Sequence, residues 1–131
     1  MHINLESDYA VRLVRVLAQA SDRLDGKTLA EKANVSPRFT LKIMQKLVLA
    51  DIVVSYKGAH GGYVLSRPAK EITLRQVIEA VEGQYRFSRC LDGDYECGCA
   101  EGERCPFQTV FDEITKMVTD KLDETTFDRL I

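Results

Sequence analysis

The strongest constraint on the fold is a helix-turn-helix pattern that runs directly into a glycine-rich hairpin. Residues 27–33 are predicted to form a short helix and residues 34–36 a tight turn. Ser36 is a favourable N-cap and Pro37 suits the first helical position, so a second helix is predicted to begin there. Its apolar residues recur at helical spacing and predict one buried face: Phe39, Ile43, Met44 and Leu47.

Two β-prone runs follow the second helix, at residues 52–56 and 63–66, and the sequence KGAHGG separates them. This pattern predicts a β-hairpin, which forms the wing of a winged helix-turn-helix. Glycines at the tip permit positive φ and let the backbone come close to a phosphate. The expected fold class is therefore mainly α, with a small β-hairpin wing.

The charge of the chain is divided unevenly between its two halves. Residues 1–70 hold 11 Lys and Arg against 6 Asp and Glu, a net of +5, whereas residues 71–131 hold 7 against 14, a net of −7. A basic module can meet phosphates while an acidic part faces away. We therefore expect a DNA-binding domain at residues 1–70 and a second functional part at residues 71–131.

Five residues of the basic half are candidates for DNA contact. We expect Arg38 and Lys42 to contact base edges or phosphates from the second helix, and Ser36 to contribute a backbone contact. Lys57 and His60 lie at the wing tip, where a wing touches DNA. The alternative is a helix-turn-helix that binds protein, with solvated surface lysines.

Helices are also predicted on both sides of this unit. An apolar stripe of Leu5, Tyr9, Leu13, Val16 and Leu17 predicts a first helix that buries one face, and Thr73 can cap a helix that ends at Gly83. Beyond Pro106 a long amphipathic helix is predicted to form a dimer interface, with packing inside one chain as the alternative. Its apolar residues are Phe107, Val110, Phe111, Ile114, Met117, Val118 and Leu122.

Four cysteines, Cys90, Cys97, Cys99 and Cys105, fall within sixteen residues, and the chain has no others. The start of the chain lacks the apolar run of a signal peptide or membrane span, so a cytoplasmic location is expected. In that reducing compartment clustered thiols favour a metal or cluster site over disulfides. Zinc, an empty loop and a direct thiol redox switch remain alternatives.

The sequence offers no enzyme active site that we can identify. His2 and His60 are the only histidines, and no constellation for acid–base or hydrolytic catalysis accompanies them. An electron-transfer protein is a further class, and nothing around the cysteines supplies a reaction site for it. We therefore expect neither an enzyme nor a small-molecule substrate.

The order of these parts resembles the Rrf-two family of bacterial regulators, whose members include IscR, NsrR, RirA and CymR. The segments SDYAVRLV, LAEKANVSPRFTLKIMQKLVLADIVVSYKGAHGGYVLSRP and ITLRQVIEAVEG carry the resemblance, followed by the cysteines. The resemblance implies a homodimer whose long carboxy-terminal helices cross and which reads a palindromic operator. It also implies that the cysteine loop controls DNA affinity.

In cluster-binding members three cysteines of this loop hold a [2Fe-2S] or [4Fe-4S] centre. The resemblance assigns Cys90 and Cys105 as the outer ligands and Cys99 as the middle one, with Cys97 as the alternative. IscR-like members use a histidine three places after the last cysteine, where this chain has Gln108. NsrR-like members use an aspartate from the first helix of the other subunit, and Asp8 stands at that position; the fourth cysteine is another candidate.

The expected function is thus a repressor whose operator affinity depends on an iron–sulfur cluster that senses nitric oxide, redox state or the supply of iron or clusters. The alternative is a cluster-free, CymR-like regulator controlled by a partner protein or by thiol oxidation. A zinc-stabilised regulator is a further alternative.

Overall fold

The computed structural model describes residues 2–98 and 105–131 and confirms the winged helix-turn-helix. The helices are α1 (Leu5–Gln19), α2 (Gly26–Ala33), α3 (Pro37–Leu49), α4 (Leu74–Glu82) and α5 (Pro106–Glu124). The strands are β1 (Val53–Tyr56) and β2 (Gly62–Leu65). Short 3-10 turns occur at Ala69–Glu71, Arg89–Leu91 and Phe127–Arg129.

Local capping chemistry sets the limits of the helix-turn-helix. Asp25 caps α2 by accepting from the backbone N–H of Thr28 at 2.7 Å. This hydrogen bond, with a second one from the Thr28 hydroxyl, holds the pKa of Asp25 below its ordinary value. Asn34 ends α2 in the left-handed region at φ 53°, a conformation that asparagine tolerates better than most residues. Ser36 then caps α3, and Pro37 is its first residue, as predicted.

The wing is an antiparallel hairpin in which Val53 pairs with Leu65 and Tyr56 with Gly62. A third segment, which the sequence did not reveal, pairs with its outer edge. Leu24 and Tyr63 exchange two backbone hydrogen bonds of 3.2 and 2.8 Å. The loop before α2 therefore fixes the wing to the helical part of the molecule.

One hydrophobic core joins α1 to α2, α3, α4 and the end of the chain. The buried face of α1 is centred on Ala10, Leu13 and Val14, so the face differs from the predicted one, in which Leu5 took part. Leu5 is exposed because it is the first residue of the helix. Val77 and Val81 of α4 lie in the same core, which thus extends past residue 70; the functional division at that residue stays a prediction.

The last turn of the chain returns to this core. Thr73 and Thr126 form an isolated antiparallel bridge, and the Phe127 N–H donates to the Ile72 carbonyl at 3.1 Å. The Phe127 ring is fully buried and packs in the cluster that contains α1. The carboxy-terminal residues thereby close the winged unit. None of the described helices is long and apolar enough to cross a membrane.

We predict that Phe127→Ala lowers the free energy of unfolding by about 3–5 kcal/mol, the usual cost of emptying a buried phenylalanine site. Leu130→Ala, in a residue that is 37% exposed, is the control and should cost well under half as much. Urea unfolding at one fixed protein concentration measures both. Equal losses for the two variants would contradict the role of Phe127 in the core.

Candidate nucleic-acid interface and cysteine loop

The exposed side of α3 carries the predicted helix contacts. Thr40, Ile43, Met44 and Leu47 are buried, whereas Arg38 and Lys42 are exposed. These two residues are four apart and therefore lie on one face of the helix. The Ser36 hydroxyl accepts from the Phe39 N–H at 3.3 Å, and its own O–H can still donate to a phosphate.

Two further residues on this face were missing from the sequence prediction. Leu41 and Gln45 are exposed. They follow Arg38 by three and seven residues, so they lie on the same face of the helix as Arg38. A glutamine can pair with an adenine edge, and an apolar side chain can contact a thymine methyl group. The signal for both was their position opposite the buried residues of α3.

The prediction that Phe39 belongs to the core is wrong. Its side chain is 41% exposed, and its ring packs edge-on against Tyr9, with the ring centroids 5.7 Å apart. Phe39 lies in the first turn of α3, where the helix meets only one edge of α1. It therefore supports the start of the helix from the side.

A carboxylate of α1 holds the two lysines of α3. Glu6 Oε1 lies 2.8 Å from Lys46 Nζ and 3.8 Å from Lys42 Nζ. Lys46 also donates to the Val81 carbonyl at 3.5 Å, so α1, α3 and α4 meet at this point. The Lys42 side chain remains 58% exposed and accessible to a phosphate, whereas Lys46 is held by its own chain.

Both predicted wing contacts, Lys57 and His60, are exposed at the tip. The turn that presents them depends on glycine. A Cβ on Gly61 would lie 2.4 Å from the Tyr56 carbonyl oxygen, and one on Gly62 would lie 2.6 Å from that of Leu24. Gly62 also has φ +146°, which side chains rarely adopt.

The cysteine loop begins and ends against α5. Cys90 is half-buried in the turn Arg89–Leu91, and Cys105 is half-buried directly before α5. Gln108 Nε2 donates to the Cys90 carbonyl at 2.9 Å, which draws the two predicted outer ligands to the same end of the helix. Gln108 therefore attaches the beginning of the loop to α5. This is the position at which the resemblance to IscR-like members implied a histidine.

The remaining predicted ligands are not assembled in the described part of the chain. Cys97 is exposed, and Cys99 lies outside the described residues. Within residues 2–98 and 105–131, no three His, Cys, Asp or Glu side chains come together as a metal site. Asp8 pairs with Arg12 at 2.7 Å within its own helix. The three described thiols are free and are donors that suit iron–sulfur clusters and zinc.

The long helix α5 leaves much of its apolar stripe uncovered by its own chain. Phe107 and Met117 are 70% and 71% exposed, and Val110 is also exposed. An ion pair holds α5 against α4: Arg75 of α4 lies 2.8 Å from Asp123 of α5. Arg75 forms a second ion pair, at 3.1 Å, with Glu79 of its own helix. Its hydrogen bonds to Asp123 first, and then to Glu79, raise the pKa of Arg75 above its ordinary value.

The chain is similar to known transcription regulators in both sequence and structure. The model of the Rrf2 family, described as iron-dependent transcriptional regulator, matches residues 3–131. The chain is 30% identical over 103 residues to the HTH-type transcriptional regulator IscR of Pectobacterium carotovorum, covering 79% of this chain and 61% of that protein. The chain spans only 61–64% of the length of several curated relatives.

Two further similarities cover nearly the whole chain. The HTH-type transcriptional regulator NsrR of Oceanobacillus iheyensis is 28% identical over 134 residues, covering 100% of this chain and 90% of that protein. The structure of CymR, the global cysteine regulator of B. subtilis, aligns with a TM-score of 0.79 at 25% identity. That alignment covers 99% of this chain and 95% of CymR.

Proposed function

The chain belongs to the Rrf2 (Rrf-two) family of transcription regulators, and from that premise we propose that it is a homodimeric repressor whose operator affinity is set by an iron–sulfur cluster. The observation that carries the proposal is the hydrogen bond from Gln108 to the Cys90 carbonyl. It holds the beginning of the cysteine loop beside Cys105 and the start of α5. The loop is thereby attached to the helix whose exposed stripe offers a dimer interface.

On the DNA side, α3 enters the major groove and the wing lies against the adjacent backbone. Arg38 and Lys42 contact base edges or phosphates, Ser36 contributes a backbone contact, and Lys57 and His60 contact DNA from the wing. The side chains of Arg38, Lys42, Lys57 and His60 are all exposed, which supports this assignment. Two copies related by a two-fold axis then read a palindromic operator.

The dimer forms through α5. A row of exposed apolar side chains along one helix is a recognised feature of interaction surfaces. Phe107, Val110 and Met117 lie along one edge of the stripe, and the ion pairs of Arg75 with Asp123 hold the helix against α4. A second copy of the same edge would cover these residues in a self-complementary contact.

The cluster is held by Cys90, Cys105 and a middle cysteine, Cys99 or alternatively Cys97. The fourth ligand is Asp8 of the other subunit or the remaining cysteine. An Asp8 ligand must first leave its partner Arg12, and that ion pair is exposed enough to be weak. A bound cluster supplies iron and sulfide that react with nitric oxide or oxygen, or that are lost when iron is short.

The described contacts provide a route from the loop to the DNA-binding helix. The loop follows α4, and the last turn of α4 touches α1 and α3: Glu82 accepts the Asn4 N–H at 2.7 Å, and the Val81 carbonyl accepts from Lys46. Lys46 and Lys42 share Glu6. A shift at the end of α4 therefore changes the position of the lysines of α3.

A cluster-free regulator is the second candidate, and the similarity to CymR over 99% of the chain favours it. In that case a partner protein or oxidation of the exposed Cys97 would control DNA binding. The colour and iron content of the protein distinguish the two candidates, because only the first contains an iron–sulfur cluster.

The deciding experiment is anaerobic purification followed by an absorption spectrum, iron and sulfide analysis, and operator binding with and without the cluster. A brown protein that absorbs broadly near about 400 nm and changes operator affinity on cluster loss supports the proposal. The proposal is contradicted if the protein is colourless after reconstitution, or if operator affinity is the same with and without the cluster.

We predict that Lys42→Ala weakens operator binding and lowers the slope of log K against log salt by about one, because one phosphate contact is lost. Lys116→Ala, which removes the same charge from the polar side of α5, is the matched control and should leave the slope unchanged. Fluorescence anisotropy over a salt series measures both. An unaltered slope in Lys42→Ala would remove this residue from the contacts.

We predict that Cys105→Ser abolishes the visible absorbance after anaerobic reconstitution while the far-ultraviolet circular dichroism persists. Serine keeps the volume but replaces the soft thiolate. Cys97→Ser and Cys99→Ser, measured in parallel, identify the middle ligand as the one whose loss also bleaches the protein. A Cys105→Ser protein that retains the full spectrum would show that the ligand assignment is wrong.

We predict that Met117→Glu shifts the protein from dimer to monomer, because the new carboxylate would be buried without a partner in the α5 contact. Lys116→Glu introduces the same group next to it on the polar side and should leave the dimer intact. Analytical ultracentrifugation over a concentration series distinguishes the two. Dimers of equal stability would exclude this edge of α5 as the interface.

A further inference from the structure

One arginine outside the wing is stacked against the wing. Arg23 lies in the loop between α1 and α2, and its Cζ is 3.9 Å from the centroid of the Tyr56 ring. Its Nη1 also donates to the His60 carbonyl at 3.4 Å. Tyr56 ends β1 and His60 belongs to the turn that follows, so this single side chain touches both the strand end and the turn at the tip of the wing.

The backbone of the loop places Arg23 there. Leu24, the next residue, exchanges two hydrogen bonds with Tyr63, so the loop forms an isolated antiparallel bridge with β2. Gly62 permits this approach, because a Cβ at that position would lie 2.6 Å from the Leu24 carbonyl oxygen. The position of Arg23 is therefore restricted by the backbone pairing of the residue that follows it.

The Arg23 guanidinium remains available for a ligand. The residue is exposed, and across the described residues no carboxylate lies within ion-pair distance of its guanidinium. The two acids of the same loop face their own backbone: Asp22 accepts the Arg23 N–H at 2.7 Å, and Asp25 accepts that of Thr28. Neither carboxylate neutralises the guanidinium.

Stacking prepares this group for an anion. A guanidinium that lies on an aromatic face keeps the N–H groups of its edge free, and these groups match two phosphate oxygens at once. Because the ring restricts the side chain before binding, less conformational entropy is lost when the phosphate arrives. The side chains of Lys57 and His60 on the tip are exposed as well.

We propose that Arg23 is a further DNA contact of this chain. Its guanidinium binds a backbone phosphate, and the Tyr56 ring holds the guanidinium in position beside the wing. The inference rests on the proposed function only in that the wing must meet DNA. It assigns a contact to the loop before α2 as well as to α3 and the hairpin. It also gives Tyr56 a role, since that aromatic ring is the platform for the guanidinium.

The test is a salt series of DNA affinity, with a duplex that the wild-type dimer has selected from a random-sequence pool. Arg23→Ala is expected to weaken binding several-fold and to lower the slope of log K against log salt by about one. Arg23→Lys keeps the charge and is expected to restore the slope with part of the affinity. Arg129→Ala, which removes an exposed arginine of the last turn, is the charge control and should leave the slope unchanged.

A double-mutant cycle tests the platform. Tyr56→Leu is expected to reduce affinity less than Arg23→Ala, and the double variant is expected to bind no worse than Arg23→Ala alone, because the ring acts only through the arginine. Additive losses would overturn the role of Tyr56. Thermal melts of each variant verify that the fold is retained.

Three results would overturn the proposal that Arg23 binds phosphate. The first is unchanged affinity and slope in Arg23→Ala. The second is reduced affinity at an unchanged slope, which would make Arg23 a structural support of the wing. The third is an equal fall of the slope in Arg129→Ala, which would indicate a general charge effect. If Lys42→Ala also has no effect, the proposed DNA face itself fails, and this outcome is distinct from failure at Arg23 alone.

Discussion

The enclosed face of α1 is the constraint on which the rest of the structure depends. Ala10, Leu13 and Val14 have no exposed surface, and α2, α3, α4 and Phe127 all belong to the cluster around them. Since protein interiors are close-packed, none of these elements can move alone without opening a void. The second helix of the helix-turn-helix, α3, and the helix that leads to the cysteines, α4, are therefore positioned by the same core.

The parts of the fold that were predicted correctly are those that local chemistry decides. Ser36 and Pro37 specify the start of α3 by a cap and a fixed φ, whatever the rest of the chain does. The pairing of Leu24 with Tyr63 and the return of Phe127 to the core were not predicted. Both depend on contacts between segments that are far apart in sequence, and neither carries a periodic pattern.

The candidate site shows the same division. Arg38 is exposed as expected, since polar residues beside an apolar helical stripe face outward, and Lys57 is exposed in the turn of the wing. The ion pair of Glu6 with Lys46 joins residues of different helices, and helical periodicity contains no information about it. The partner of Asp8, by contrast, was visible as an arginine four residues later. The irregular cysteine spacing did not determine a ligand set, and only Cys90 and Cys105 are brought together by a described contact through Gln108.

The bridge between Thr73 and Thr126 has a consequence for how such a chain can evolve. The segment that contains the cysteines and α5 leaves the core after Gly83 and returns where the Leu74 N–H meets the Thr125 carbonyl at 2.9 Å. Gly83 ends α4 and Leu74 begins it, so the two ends of the segment are held about 13 Å apart by one nine-residue helix. The entropic cost of a longer flexible loop between them grows only with the logarithm of its length. Insertions, deletions and new ligand spacings can accumulate there while the head that reads DNA keeps its packing. The length of the cysteine segment can therefore change while the packing of the winged helix-turn-helix stays the same.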